Sequence, residues 1–187
     1  MLRWPQLPRS ATSFLVGVLL LAGLGAVAAA EEPASLGDPA LEAMRALSGL
    51  VGRWQGEGWV RQGPGEPRAF RGEEVVESRL DGRVLIIEGR HLAAAGDKVV
   101  HHALAILSYD PKAGTYRFRS HLASGQSGEF EGSFEGGAFV WGFPNERGQV
   151  RYTIRLEADR WNEVGDFSAD GQSWSRFFEM NLTRAGS

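Results

Sequence analysis

The chain has 187 residues, no cysteine, 20 Lys and Arg against 23 Asp and Glu, and a formal net charge of −3. With its arginines scattered, that balance excludes the basic footprint a nucleic acid needs and the polybasic cluster that holds an anionic membrane surface. Without cysteine there is no disulfide, no thiol nucleophile and no lipid attachment through sulfur, so packing and backbone pairing must hold the fold.

Arg3 and Arg9 precede an uncharged apolar run from Phe14 to Val27, followed by Ala28-Ala29-Ala30. A positive start, an apolar stretch and small residues before a cleavage point make a secretory signal peptide over residues 1–30, and the run is shorter than the ~20 residues a spanning helix needs. Residues 1–30 carry two of the 20 basic groups and none of the 23 acidic ones, so the exported chain, about 157 residues long, sits near −5. It is expected in the periplasm or outside the cell, with no membrane anchor after cleavage. Residues 31–38 read as a flexible leader, and residues 39–187 as one domain.

Asp38 is placed to cap a helix with Pro39 at its first position, and Leu41, Met44, Ala46, Leu47 and Leu50 recur at helical spacing. The expected helix runs from about 39 to 49 and ends at Gly49 and Gly52. After it the period changes to two. Strands are expected near 52–61, 68–80, 83–94, 98–109, 114–123, 126–136, 138–143, 148–158, 161–169 and 172–184, with Gly-, Asp- and Pro-rich separators such as Asp81-Gly82, Gly136-Gly137 and Asp170-Gly171 between them. Alternation is clearest where Val150, Tyr152, Ile154 and Leu156 interleave with Arg151, Thr153, Arg155 and Glu157. No helical pattern separates the strands, so the fold class is all-β and antiparallel; the alternation fits a sandwich or a barrel equally, and ten strands joined mainly by tight turns favour an up-and-down barrel, one end closed by the helix. A barrel of that size encloses more volume than its own side chains easily fill.

The stretch Gly52-Arg53-Trp54-Gln55-Gly56-Glu57-Gly58 resembles the first strand of the calycins, the group that includes the lipocalins and fatty-acid-binding proteins. The resemblance implies that Trp54 packs at the closed end and that Arg184, near the end of the last strand, lies across its ring, so that Gly52, Trp54 and Arg184 form a structural signature. The same opening is similar to that of the nitrobindins and of uncharacterised exported bacterial barrels. Nitrobindins hold haem through a histidine in the C-terminal part of the barrel, and this chain has no histidine after His121. No cofactor is therefore expected.

His91, His101, His102 and His121 form no spaced metal motif, and the adjacent pair must point to opposite faces of a strand, so no metal site is expected. Charges that share parity with apolar neighbours are the candidates for a cavity wall: Glu74 beside Phe70 and Val76, Glu88 and Arg90 beside Ile86 and Leu92, and Arg176 beside Phe178 and Met180. The other face of the third strand, Leu85, Ile87 and Gly89, is equally apolar, so the parity is ambiguous there, and a structural or outward place for all of these charges is the simpler reading. With His91, Trp141 and Tyr152 these residues complete the expected ligand-cavity set. Phe139, Trp141 and Phe143 fall on one face of a short strand, at a cavity mouth or an apolar patch. No Gly-x-Ser-x-Gly elbow, phosphate loop or dinucleotide loop occurs, and no catalytic residue is singled out. The leading expectation is a lipocalin-like binding protein for a small apolar or amphipathic molecule. The alternatives are a small isomerase or hydrolase using cavity groups such as Glu88 and His91, a ligand-free interaction module, and, last, haem binding.

Overall fold

The computed structural model describes residues 37–186; the expected signal peptide and most of the leader lie outside them. Helix α1 (Pro39–Arg45) is followed by a 3-10 turn (Ser48–Leu50) and ten strands: β1 (Gly52–Val60), β2 (Arg68–Arg79), β3 (Val84–Ala93), β4 (Val99–Asp110), β5 (Thr115–Leu122), β6 (Ser127–Glu135), β7 (Ala138–Asn145), β8 (Gly148–Glu157), β9 (Arg160–Ser168) and β10 (Ser175–Arg184). Each strand pairs antiparallel with its sequence neighbours and β1 pairs with β10, so the sheet closes into a ten-stranded barrel. Closure leaves no open edge, which decides for the barrel over a sandwich.

Asp38 caps α1 through Oδ1, which accepts from the amides of Ala40 and Leu41 at 3.0 and 3.1 Å. The helix is shorter than its apolar spacing suggests, because Ser48 and Gly49 are poor helix formers and the last turn tightens to 3-10 geometry. The Asp81-Gly82 hairpin widens: Leu80 and Asp81 also take positive φ, and Leu80 is left in solvent. β10 begins at Ser175 rather than 172, since the Asp170 carboxylate accepts from the amides of Gln172 and Ser173, both at 2.8 Å, and winds those residues into a loop.

Helix and turn close one end of the barrel. Met44, Leu47 and Leu50 are buried with Trp54, Val76, Leu85, Leu107 and Leu182, and the Tyr116 hydroxyl donates to the Ala43 carbonyl at 2.7 Å. Trp54, 1% exposed, donates through Nε1 to the Leu50 carbonyl at 2.8 Å. Arg184, its register partner across the seam, lies with its guanidinium 4.2 Å from the Trp54 ring centroid. It also donates to the carbonyls of Val51 at 2.7 Å and Gly49 at 3.0 Å and to Asp159 at 3.0 Å. Gly52 has φ of 139°, and a Cβ there would come within 2.5 Å of Arg184 Nη1. The glycine of the Gly-x-Trp pair thus leaves the space the arginine occupies.

Replacing Arg184 by methionine removes the cation–π contact and two carbonyl bonds while keeping an apolar stem over Trp54. The expected loss is about 2 kcal/mol, a fall in Tm of about 4–8 °C by thermal melt. Gly52→Ala is expected to destabilise by displacing the same guanidinium, so the double variant Gly52→Ala/Arg184→Met should lose less than the sum of the two. Strict additivity would mean that the two residues act independently.

Candidate functional site

Which side chains line the interior follows from strand parity. Even positions point inward on β1 and β2, odd positions on β3 and β4, even on β5 and β6, odd on β7, even on β8 and odd on β9. Glu74, His91, Trp141 and Tyr152 all lie on this inner wall. Glu88, Arg90 and Arg176 do not, and as cavity candidates they are corrected. Leu85, Ile87, Gly89 and His91 take the inward parity of β3, which sends Glu88 and Arg90 outside, where Glu88 meets His102 Nε2 at 2.9 Å. On β10 a bulge between Arg176 and Phe178 breaks the parity: Phe178 and Met180 face inward, while Arg176 turns out to Asp166 at 2.9 Å.

At mid-barrel the inner wall is a belt of rings. Around it, His101 and His91 lie 5.0 Å apart, His91 stacks on Phe70 at 4.5 Å, Phe70 reaches Phe178 at 5.8 Å and Phe178 meets Tyr152 at 5.8 Å. Tyr152 stacks on Trp141 at 4.4 Å, and Trp141 on Phe118 at 4.4 Å. Phe130 and Phe143 continue the wall toward the mouth. Trp141, Tyr152, Phe130 and Phe178 face inward yet keep part of their surface accessible.

Below the belt sit two carboxyl groups. Glu74 is 7% exposed, with Oε1 3.1 Å from His91 Nε2. A Cβ on Gly89, its register partner, would fall 2.6 Å from both carboxyl oxygens, so the glycine makes room for this side chain. Glu163, between Ile154 and Met180 on the neighbouring strands, points into the same space. Burial raises both carboxyls, Glu74 to about 8 and Glu163 to about 8, with the Glu74 charge contributing to the latter. Burial likewise lowers His91 to about 4 and raises the Tyr152 phenol, while at the exposed rim partial desolvation and the neighbouring His91 and His102 lower His101. At neutral pH the whole group is uncharged. The indole N–H groups of Trp141 and Trp161 are buried and make no hydrogen bond of good geometry, yet both lie against the Glu163 carboxyl and hold its pKa below where burial alone would take it.

Glu163, Trp161, His101, Phe70 and Phe178 are site residues that the sequence reading did not single out. Glu163 carried the same signal as Glu74, a charge in step with Trp161, Gly165 and Phe167. The contacts of Phe70 and Phe178 depend on pairing between distant strands and had no local signal.

Among the described residues no group of three or more histidine or acidic side chains converges to hold a metal ion. Haem, implied by the nitrobindin resemblance, does not fit. β6 to β10 contain no histidine, the mid-barrel inward residues of β8, β9 and β10 are Tyr152, Glu163 and Met180, and His91 is stacked on Phe70 and engaged by Glu74.

The barrel is similar to two solved structures. Rv2717c from M. tuberculosis matches with a TM-score of 0.60 at 21% identity, over 77% of this chain and 98% of that one. The S-type phycobiliprotein lyase CPES from Guillardia theta matches with a TM-score of 0.53 at 11% identity, over 78% and 92%. These likenesses establish the ten-stranded calycin-like fold. No protein-family model and no curated protein matches the sequence.

The raised carboxyls and lowered histidines give stability a defined pH dependence. Folded Glu74 and Glu163 keep protons that the unfolded chain releases between about pH 4.5 and 8, so stability falls as pH rises through that window. Folded His91 and His101 refuse protons that the unfolded chain takes up between about 6.5 and 4, so stability falls as pH drops there. The two slopes oppose each other up to about 6.5, which leaves an uncompensated loss above it. Tm is expected to fall from pH 6.5 to 8.5, and Glu163→Gln to flatten that fall and raise Tm at pH 8.5 by about 3–6 °C. An unchanged slope in the variant would place the Glu163 carboxyl in water.

Proposed function

We propose that the protein is an exported, lipocalin-like binding protein that carries a small, largely apolar or amphipathic molecule inside its barrel. The observation that carries this reading is the inner wall itself. Trp141, Tyr152 and Phe178 turn inward without surrendering all their accessible surface, and large aromatic side chains left partly accessible gain free energy when an apolar body covers them. A few polar groups set among them, Glu74, Glu163 and the two indole N–H groups, would orient that body. The export half rests on the N-terminal sequence, Arg3 to Ala30.

A second reading, acid–base catalysis on a bound substrate, has one observation in its favour: the hydrogen bond between Glu74 and His91 in a dry interior. Glu88, outside the barrel, takes no part in it. Such chemistry would show as turnover abolished by Glu74→Gln with binding retained.

The neutral fluorophore N-phenyl-1-naphthylamine should bind saturably at one site and quench tryptophan emission. Ala103→Phe, which adds a ring to the inner wall of β4 beside Gly89, should weaken that binding at least tenfold while the melt stays cooperative. Binding insensitive to Ala103→Phe would move the site outside the barrel. In the native host the protein recovered from the periplasm or medium should begin at Glu31; full-length protein in the cytoplasm would refute export.

A further inference from the structure

The interior is unusual in its electrostatics. It holds two carboxyl groups and no fixed cation to meet them. Glu74 has His91 as its one ion-pair candidate, and Glu163 has none among the described residues. On the inner wall β1, β5, β6 and β7 contribute no charged residue at all. β10 contributes Arg184, but its guanidinium is taken up at the closed end by Trp54 and the carbonyls of Val51 and Gly49. β2 contributes Arg68 only at the exposed rim. β3, β4 and β8 add His91, His101 and Tyr152, all neutral at pH 7.

Against that lack of positive charge stand two features that favour it. The first is the aromatic belt: Phe178 and Tyr152 keep accessible surface on the inner wall, and the quadrupole of an aromatic ring attracts a cation, more strongly away from water. The second is the pair of idle donors. Trp161 is 2% exposed, its Nε1–H is unpartnered, and with Trp141 it lies against Glu163. A buried donor without an acceptor is costly, and both would gain a charge-assisted bond if Glu163 ionised. In the empty barrel burial opposes that ionisation. A positive charge brought in by a ligand would reverse the balance.

We propose that the barrel takes a small organic cation, an aromatic or tertiary amine in its protonated form or a quaternary ammonium, seated among the aromatic rings with its charge against Glu74 and Glu163. This rests on the binding reading above and names its ligand class. One carboxyl O–H bond breaks as the cation enters, the proton leaves to solvent, and the carboxylate accepts from the indole N–H groups. The neutral interior is therefore exchanged for an internal ion pair, and binding is linked to release of about one proton below pH 8.

The test compares three probes on one aromatic scaffold by titration calorimetry and tryptophan quenching: neutral N-phenyl-1-naphthylamine, anionic 8-anilinonaphthalene-1-sulfonate and cationic (1-naphthylmethyl)trimethylammonium. The cation should bind at least tenfold more tightly than the anion. A quaternary cation cannot itself titrate, so its affinity should rise severalfold from pH 6 to 8, and calorimetry in buffers of different ionisation heat should show release of about one proton. Glu74→Gln/Glu163→Gln should cost the cation at least tenfold in affinity and leave the neutral probe within threefold. If the double variant does not fold, Glu163→Gln alone is read for loss of proton release. Neutral-probe binding with no preference for the cation, or a cation affinity untouched by the carboxamides, overturns the cation proposal and leaves the binding reading standing. Failure of all three probes to bind overturns both.

Discussion

The closing of β10 onto β1 is the constraint on which everything else depends. A ten-stranded sheet without disulfides has to join its first and last strands, which are separated by nearly the whole domain, and the loop entropy of doing so is recovered only when the seam is made. Backbone pairing supplies part of that stabilisation. Arg184 supplies the specific part, because one guanidinium covers the Trp54 ring and satisfies the carbonyls of Gly49 and Val51 at the end of the capping turn. Strand, seam and cap are fastened at a single point.

That fastening makes the two ends of the barrel physically different. At the closed end Leu47, Leu50, Trp54 and Leu182 are almost wholly buried, and the polar atoms of Trp54, Tyr116 and Arg184 all have partners. One turn of strand further along, satisfaction stops. Glu74, Glu163 and two indole N–H groups sit in low dielectric with one good hydrogen bond among them, and the rings above them keep accessible surface. Stability is concentrated where the chain ends meet, and the polar atoms left wanting are those beside Glu163 in the barrel interior. Buried polar groups without partners are the ordinary mark of a place where something other than folding sets the residue choice.

Glu163 also shows why a single rule about charges inside barrels misleads. Asp166, three residues on, is also a carboxylate and is 8% exposed, but it faces outward and pairs with Arg176. Both lie on β9, and what separates them is their odd, three-residue spacing, which puts them on opposite faces of the strand.

The sequence by itself determined the architecture. Period two over ten segments joined by tight turns, a capped helix before them and a Gly-x-Trp at the first strand pointed to an antiparallel sheet and favoured its closure, because each of those signals is local and each reports a backbone geometry. It also marked Glu74, whose in-step apolar neighbours betrayed an inward place, and it offered the same clue for Glu163. The tertiary structure alone decided which of two equally apolar faces of β3 looks inward, and so put His91 inside and Glu88 and Arg90 outside. It alone revealed the bulge that turns Arg176 away, and the meeting of Phe70 from β2 with Phe178 from β10 across the seam. The reason is that parity is a relative quantity. A strand's alternation says that its side chains face two ways, but only the register with its neighbours, fixed by closure of the whole barrel, says which way is in.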